Sequence, residues 1–136
     1  MYLLDTNACI AIINGKPVSV RNRLVAAVAA DDEIFVSTIV GFELWYGVAK
    51  SDHPKANAQL VQAFLNGPLT LLTFEDEDAR VAGDVGAKLE PAGKPIGAYD
   101  LLIAGQALRH KFVLITANSR EFARVPGLQW DDWTKR

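Results

Sequence analysis

Three carboxylates stand alone inside apolar stretches. Asp5 is the only charged side chain in the first fifteen residues, Glu43 the only one between Glu33 and Lys50, and Asp100 the only one between Lys94 and Arg109. Asn118 follows "FVLITA", which carries no charge from Phe112 to Ser119. Burying an isolated carboxylate is costly, so such a group is paired, capped, protonated or bound to a metal. Several carboxylates in one place repel one another unless a cation intervenes. Oxygen-only ligands suit Mg²⁺ or Mn²⁺ rather than zinc. The two histidines, His53 and His110, and the single Cys9 show no zinc spacing. A metal on acidic residues points to phosphate chemistry, because it lowers the pKa of a water and offsets charge in an in-line displacement. Neither "GxxxxGK[ST]" nor "GxGxxG" occurs, so no nucleotide-cradling loop is expected.

Each residue has a plainer reading as well. Asp5 could cap a helix beginning near Ala8, Asp100 could be a first-turn residue favoured by the helix dipole, and Asn118 could cap "SREF". Glu43 has no capping role inside a helix, though it could pair with a buried arginine. The run "EDED" (75–78) reads as a solvated helix start, Trp45–Tyr46 as core or an oligomer contact, and His110 as a helix-terminal cation or surface residue.

The elements that must position these residues alternate. Short β-rich runs occur at 2–5, 33–37, 69–74 and 112–117, with a last strand within 127–133. Helical patterns are expected at 8–14, 19–31 with Ser19 as cap, 39–50, 55–66, 75–93 and 98–111, and a helical turn at "SREFARV". The pattern at 39–50 is apolar nearly all round, which predicts a buried or interfacial helix. Strands separated by helices predict βαβ units and a parallel sheet with helices on both faces. Sites on such sheets lie outside the carboxyl ends of the strands, at the topological switch point. All four polar residues could meet there.

Composition sets the frame. The chain has 136 residues, half of them hydrophobic, which suits one domain spanning 1–136 with a real core. The net charge of −2 argues against a general polyanion binder but leaves room for a local basic groove. One cysteine allows no internal disulfide, and Cys9 reads as a small core residue. No signal peptide and no membrane span are expected, so a cytoplasmic protein is the default.

Four segments, "MYLLDTNACIAIING", "VSTIVGFELWYGV", "KPIGAYDLLIAGQAL" and "LITANSREFARVPGLQWDDW", resemble in chain order the signatures of the PIN-domain ribonucleases. Within that superfamily the chain resembles the VapC toxins of type II toxin–antitoxin systems. The resemblance implies a three-layer α/β/α sandwich around a mostly parallel sheet. It implies that Asp5 and Asp100 are metal ligands, that Glu43 matches the glutamate of "E-L-x-Y-G", and that Asn118 fills a fourth polar position where other members are acidic. Thr6 and Thr116 fall where the family places hydroxyls that orient the carboxylates. It further implies Mg²⁺- or Mn²⁺-dependent cleavage of RNA, with the anticodon region of initiator tRNA as the target of the nearest branch. A homodimer and a VapB antitoxin, assembled into a larger complex, follow from the same likeness.

On this reading Asp5 and Asp100 hold the metal, Glu43 completes the ligand set or positions the attacking water, and Asn118 binds a water or a phosphate oxygen. Lys50, Lys94, Arg109, Lys111, Arg120 and Arg124 are candidate phosphate contacts, expected along one rim of the cleft. Two rivals remain at this point. A metal-dependent phosphotransfer domain shares the strand-end aspartate but needs a second acidic residue near it, and position 7 is Asn7. A silent binding module would keep the fold without the catalysis.

Overall fold

The computed structural model describes residues 1–135. The chain runs β1 (Tyr2–Leu4), α1 (Thr6–Asn14), α2 (Val18–Ala29), β2 (Ile34–Ser37), α3 (Thr38–Lys50), α4 (Pro54–Leu65), β3 (Thr70–Leu72), α5 (Asp76–Leu89), α6 (Ala98–His110), β4 (Val113–Ile115), α7 (Ser119–Phe122) and β5 (Trp130–Asp131). The five strands form one sheet in the order β3-β2-β1-β4-β5. Every neighbouring pair is parallel, so the sheet is more uniform than the mixed one the family resemblance allows.

That order explains the layers. The chain steps outward from β1 to β2 to β3, then crosses back over both to β4 and on to β5. Right-handed crossovers therefore put α1 to α4 on one face and α5 to α7 on the other. The contacts agree: α1 touches α2, α3 and α4, while α5 packs along α6. Leu3 and Leu4 point to opposite faces of β1, and each is 0% exposed, as a sheet covered on both sides requires. Val36, Leu114, Ile103, Ala104, Phe122 and Cys9 complete the centre of the core. Among the described residues no helix is long and apolar enough to cross a membrane.

Several local expectations are corrected. Helix α1 starts at Thr6, two residues early, because Asp5 caps it directly after the strand. Helix α2 is preceded by Pro17, and Ser19 lies inside it, its hydroxyl 3.3 Å from the Thr134 carbonyl. Helix α3 is not buried all round: Phe42, Trp45 and Tyr46 are 50%, 38% and 56% exposed, which removes the core reading of Trp45–Tyr46 and leaves the interfacial one standing. The acidic start of α5 is not simply solvated either. Asp78 is fully buried and accepts from Arg109 Nε at 2.6 Å, while Glu75 and Glu77 bind the same guanidinium. Arg109 is held protonated even more firmly than usual, chiefly by its bond to Asp78. Nearby, His110 stacks on Phe112 and lies 3.8 Å from Asp78, so it belongs to this structural corner.

Candidate active site

The strand order reverses between β1 and β4, and the crevice expected at such a point lies at their carboxyl ends. Asp5 leaves β1 and Thr116 leaves β4 side by side, tied by the Asp5 N–H to the Ile115 carbonyl at 3.0 Å. Asp5 Oδ1 accepts the Ala8 N–H at 2.7 Å, so it does cap α1. The Thr116 hydroxyl favours the charged form of the same carboxylate and accepts the Asn118 N–H at 2.9 Å.

Glu43 reaches this crevice from the middle of α3. Thr6, in the first turn of α1, donates to Glu43 Oε1 at 2.7 Å. Asp100 comes from the first turn of α6, whose dipole favours a negative charge. Asn118 precedes α7, but its side chain does not cap that helix: Nδ2 donates to Glu121 Oε2 at 2.7 Å. Glu121 Oε1 in turn accepts the Gly97 N–H at 2.6 Å, which fastens the start of α6 to α7.

The charges act on one another. Burial raises the Asp5 carboxyl, with Glu43 and Asp132 adding to the shift against the Thr116 and Ala8 bonds. Asp100 is pushed up to about 6 by burial first, then by Glu121, Asp5 and Glu43. All six residues singled out from sequence thus stand in one place: Asp5, Glu43, Asp100, Asn118, Thr6 and Thr116. Glu121 and Asp132 join them without having been singled out. Glu121 sits beside Arg120, and Asp132 in a polar "DDW", where a carboxylate looks like ordinary surface. The spacing of three from Asn118 to Glu121 on one helical turn was the available signal.

The donor set suits a hard divalent cation. Among the described residues no lysine, arginine or histidine nitrogen lies within 4.0 Å of Asp5, Glu43, Asp100, Glu121 or Asp132. No side-chain cation among them offsets the burial that raises Asp5 and Asp100. Among the same residues no group of three acidic, histidine or cysteine side chains forms a ready cage. Mg²⁺ does not need one, since it keeps several waters and uses one or two carboxylates. On the α3 side an apolar groove of about 260 Å³ runs up to Glu43 between Ile10, Ile13, Leu44, Leu60 and Val61. Two expected phosphate contacts lie elsewhere. Arg109 is committed to Asp78, and Lys111 precedes β4 at the amino end of the strands.

Comparison with known proteins gives the same picture. A PIN domain matches residues 2–128. The tRNA(fMet)-specific endonuclease VapC of Shigella flexneri is 35% identical over 133 residues, 98% of each chain. Ribonuclease VapC2 of Rickettsia felis is 38% identical over 135 residues, 99% of each. The solved VapBC2 of Rickettsia felis, bound to a DNA fragment from its promoter, superposes with a TM-score of 0.89 at 36% identity, covering 97% of this chain and 98% of that one. The carboxylate crevice, the parallel sheet and these full-length likenesses agree, and the chain belongs to the PIN-domain family, among the VapC ribonucleases.

Proposed function

We propose that residues 1–136 act as a single PIN domain, a divalent-metal-dependent endoribonuclease and the toxin of a VapBC module. Its substrate is tRNA, with the initiator tRNA favoured by the relative named for tRNA(fMet) and its anticodon region by the family resemblance. One observation carries the reading: Asp5, Glu43 and Asp100 converge, unpaired by any cation among the described residues, at the sheet's switch point. Asp5 and Asp100 would hold Mg²⁺ or Mn²⁺. Bound there, the ion would make water more acidic and offset charge on the phosphate oxygens.

The chain's own groups do the rest. Thr6 keeps Glu43 aimed inward, where its free oxygen orients the attacking water and takes its proton. The water oxygen bonds to phosphorus as the bond to the 3′ oxygen breaks. The products are a 3′-hydroxyl and a 5′-phosphate. Asn118 gives one amide hydrogen to Glu121 and has a second for a phosphate oxygen. The apolar groove ending at Glu43 suits a segment of a VapB-type antitoxin laid over the site. The exposed Phe42, Tyr46 and Tyr99 suit a homodimer contact. A cytoplasmic location fits this role.

Cleavage of a purified tRNA mixture tests the reading. Cutting is expected with Mg²⁺, and none with EDTA or in Asp5→Ala or Asp100→Ala. Cleavage that survives EDTA and both substitutions overturns it.

A further inference from the structure

A site built from carboxylates has to receive a polyanion. Asp5, Glu43, Asp100 and Glu121 act on one another electrostatically, and the chain's net charge is −2. A phosphate backbone is repelled from such a surface unless cations stand beside it. Several of the chain's cations are engaged elsewhere. Arg23, Arg80, Lys88 and Arg109 are bound to carboxylates. Arg21 donates to the Ile12 and Ile13 carbonyls at the end of α1, and Lys50 lies over the Tyr46 ring.

Lys94, Arg120 and Arg124 belong to the segments that carry Asp100 and Glu121. All three are exposed, and among the described residues none has a carboxylate within 4.0 Å. They share one stitched edge. Arg124 Nη1 donates to the Pro95 carbonyl at 3.0 Å, and Gly97 N–H donates to Glu121 at 2.6 Å. The loop carrying Lys94 and the helix carrying Arg120 are thereby fixed to each other, with Asp100 and Glu121 on the same seam. The groove beyond Glu43 has the opposite character, with no lysine or arginine in its lining.

We infer that Lys94, Arg120 and Arg124 form the edge that grips RNA phosphates flanking the cleaved bond. This rests on the ribonuclease reading above. Arginine suits the task because its planar fork matches phosphate oxygens. The grip is independent of sequence, so it sets affinity and orientation rather than the choice of RNA.

The salt dependence of RNA binding tests this. Labelled tRNA is titrated with the full chain, freed of any partner, on an Asp5→Ala background so that bound RNA stays whole. Each of Lys94→Gln, Arg120→Gln and Arg124→Gln should lower the slope of log K against log salt by about 0.7–0.9, and the triple variant by about 2. Lys111→Gln, at the other end of the sheet, should leave the slope unchanged. Arg124→Lys should restore it, separating the charge from the contact with Pro95. In the cutting chain the triple variant should raise KM and leave kcat unchanged. An unmoved slope in the triple variant overturns the inference, as does an equal loss in Lys111→Gln. So does a triple variant that binds RNA normally but loses an acidic protein partner. If the unsubstituted chain cuts no RNA while the edge variants still lose slope, the cleavage reading falls and the edge stands. If it cuts RNA and the slopes do not move, the edge falls alone.

Discussion

Thr6 donates to Glu43 Oε1 at 2.7 Å, and Thr116 works against the burial that raises the Asp5 carboxyl. Thr6→Val and Thr116→Val should each cost about 10–100-fold in metal affinity or cleavage while the fold stays intact, read by metal titration and circular dichroism. Asp100 gives a sharper test. Its carboxyl, ordinarily near 3.8, is raised to about 6 by burial and by Glu121. The folded chain therefore holds a proton that the unfolded chain has lost between those values. Its contribution to metal-free stability is complete below about 3.8 and is lost as pH rises through about 6. Cleavage needs the charged form, so it should fall as pH drops through the same region. Melting in EDTA should accordingly be higher at pH 5 than at pH 7.5, as far as this group is concerned. Mg²⁺ should raise the melting temperature more at pH 7.5. In Asp100→Asn the EDTA melting temperature at pH 7.5 should rise and the Mg²⁺ gain should shrink. An Mg²⁺ gain that is equal at both pH values would count against the assignment.

Helix α6 carries Asp100, and its position is set by how closely it lies on α5. A Cβ at Gly105 would sit 2.7 Å from Ala82 Cβ and 2.7 Å from its backbone nitrogen. Gly105→Ala must therefore push the two backbones apart. It should destabilise by about 1–3 kcal/mol in denaturant melts and lower cleavage by shifting Asp100. The Arg109–Asp78 pair joins the same helices at their other end. Asp78→Ala should lower the denaturant midpoint, with kcat/KM nearly unchanged where the protein is folded. The alternation of strands and helices was legible because short β-rich runs separate long helical periods. Lone acids such as Glu43 were legible because their neighbours are apolar. The Asp78 pair was not, since "EDED" looks like surface and its partner lies 31 residues away on another helix. Glu121 was missed for a related reason, its importance coming from the Gly97 amide it meets across the fold.

The whole molecule has two unlike ends. All strands are parallel, so the carboxylates gather at one end and the Arg109 network closes the other. The aromatic face of Phe42, Tyr46 and Tyr99 flanks the acidic end, their rings linked through Phe42 at 6.0 and 5.6 Å. Tyr46→Glu on this face should turn a dimer into a monomer, read by light scattering, and an unchanged mass would place the dimer contact elsewhere. The order of the strands also bears on how the protein is made. β1 precedes the other four described strands in the chain, yet it lies between β2 and β4. Thr116, Asn118 and Glu121 all follow β4. A chain still growing on the ribosome, with β4 and the residues after it unmade, has an open edge on β1 and lacks Thr116, Asn118 and Glu121. Such a nascent chain should be inert toward RNA, its competence expected only when β4 slots in beside β1.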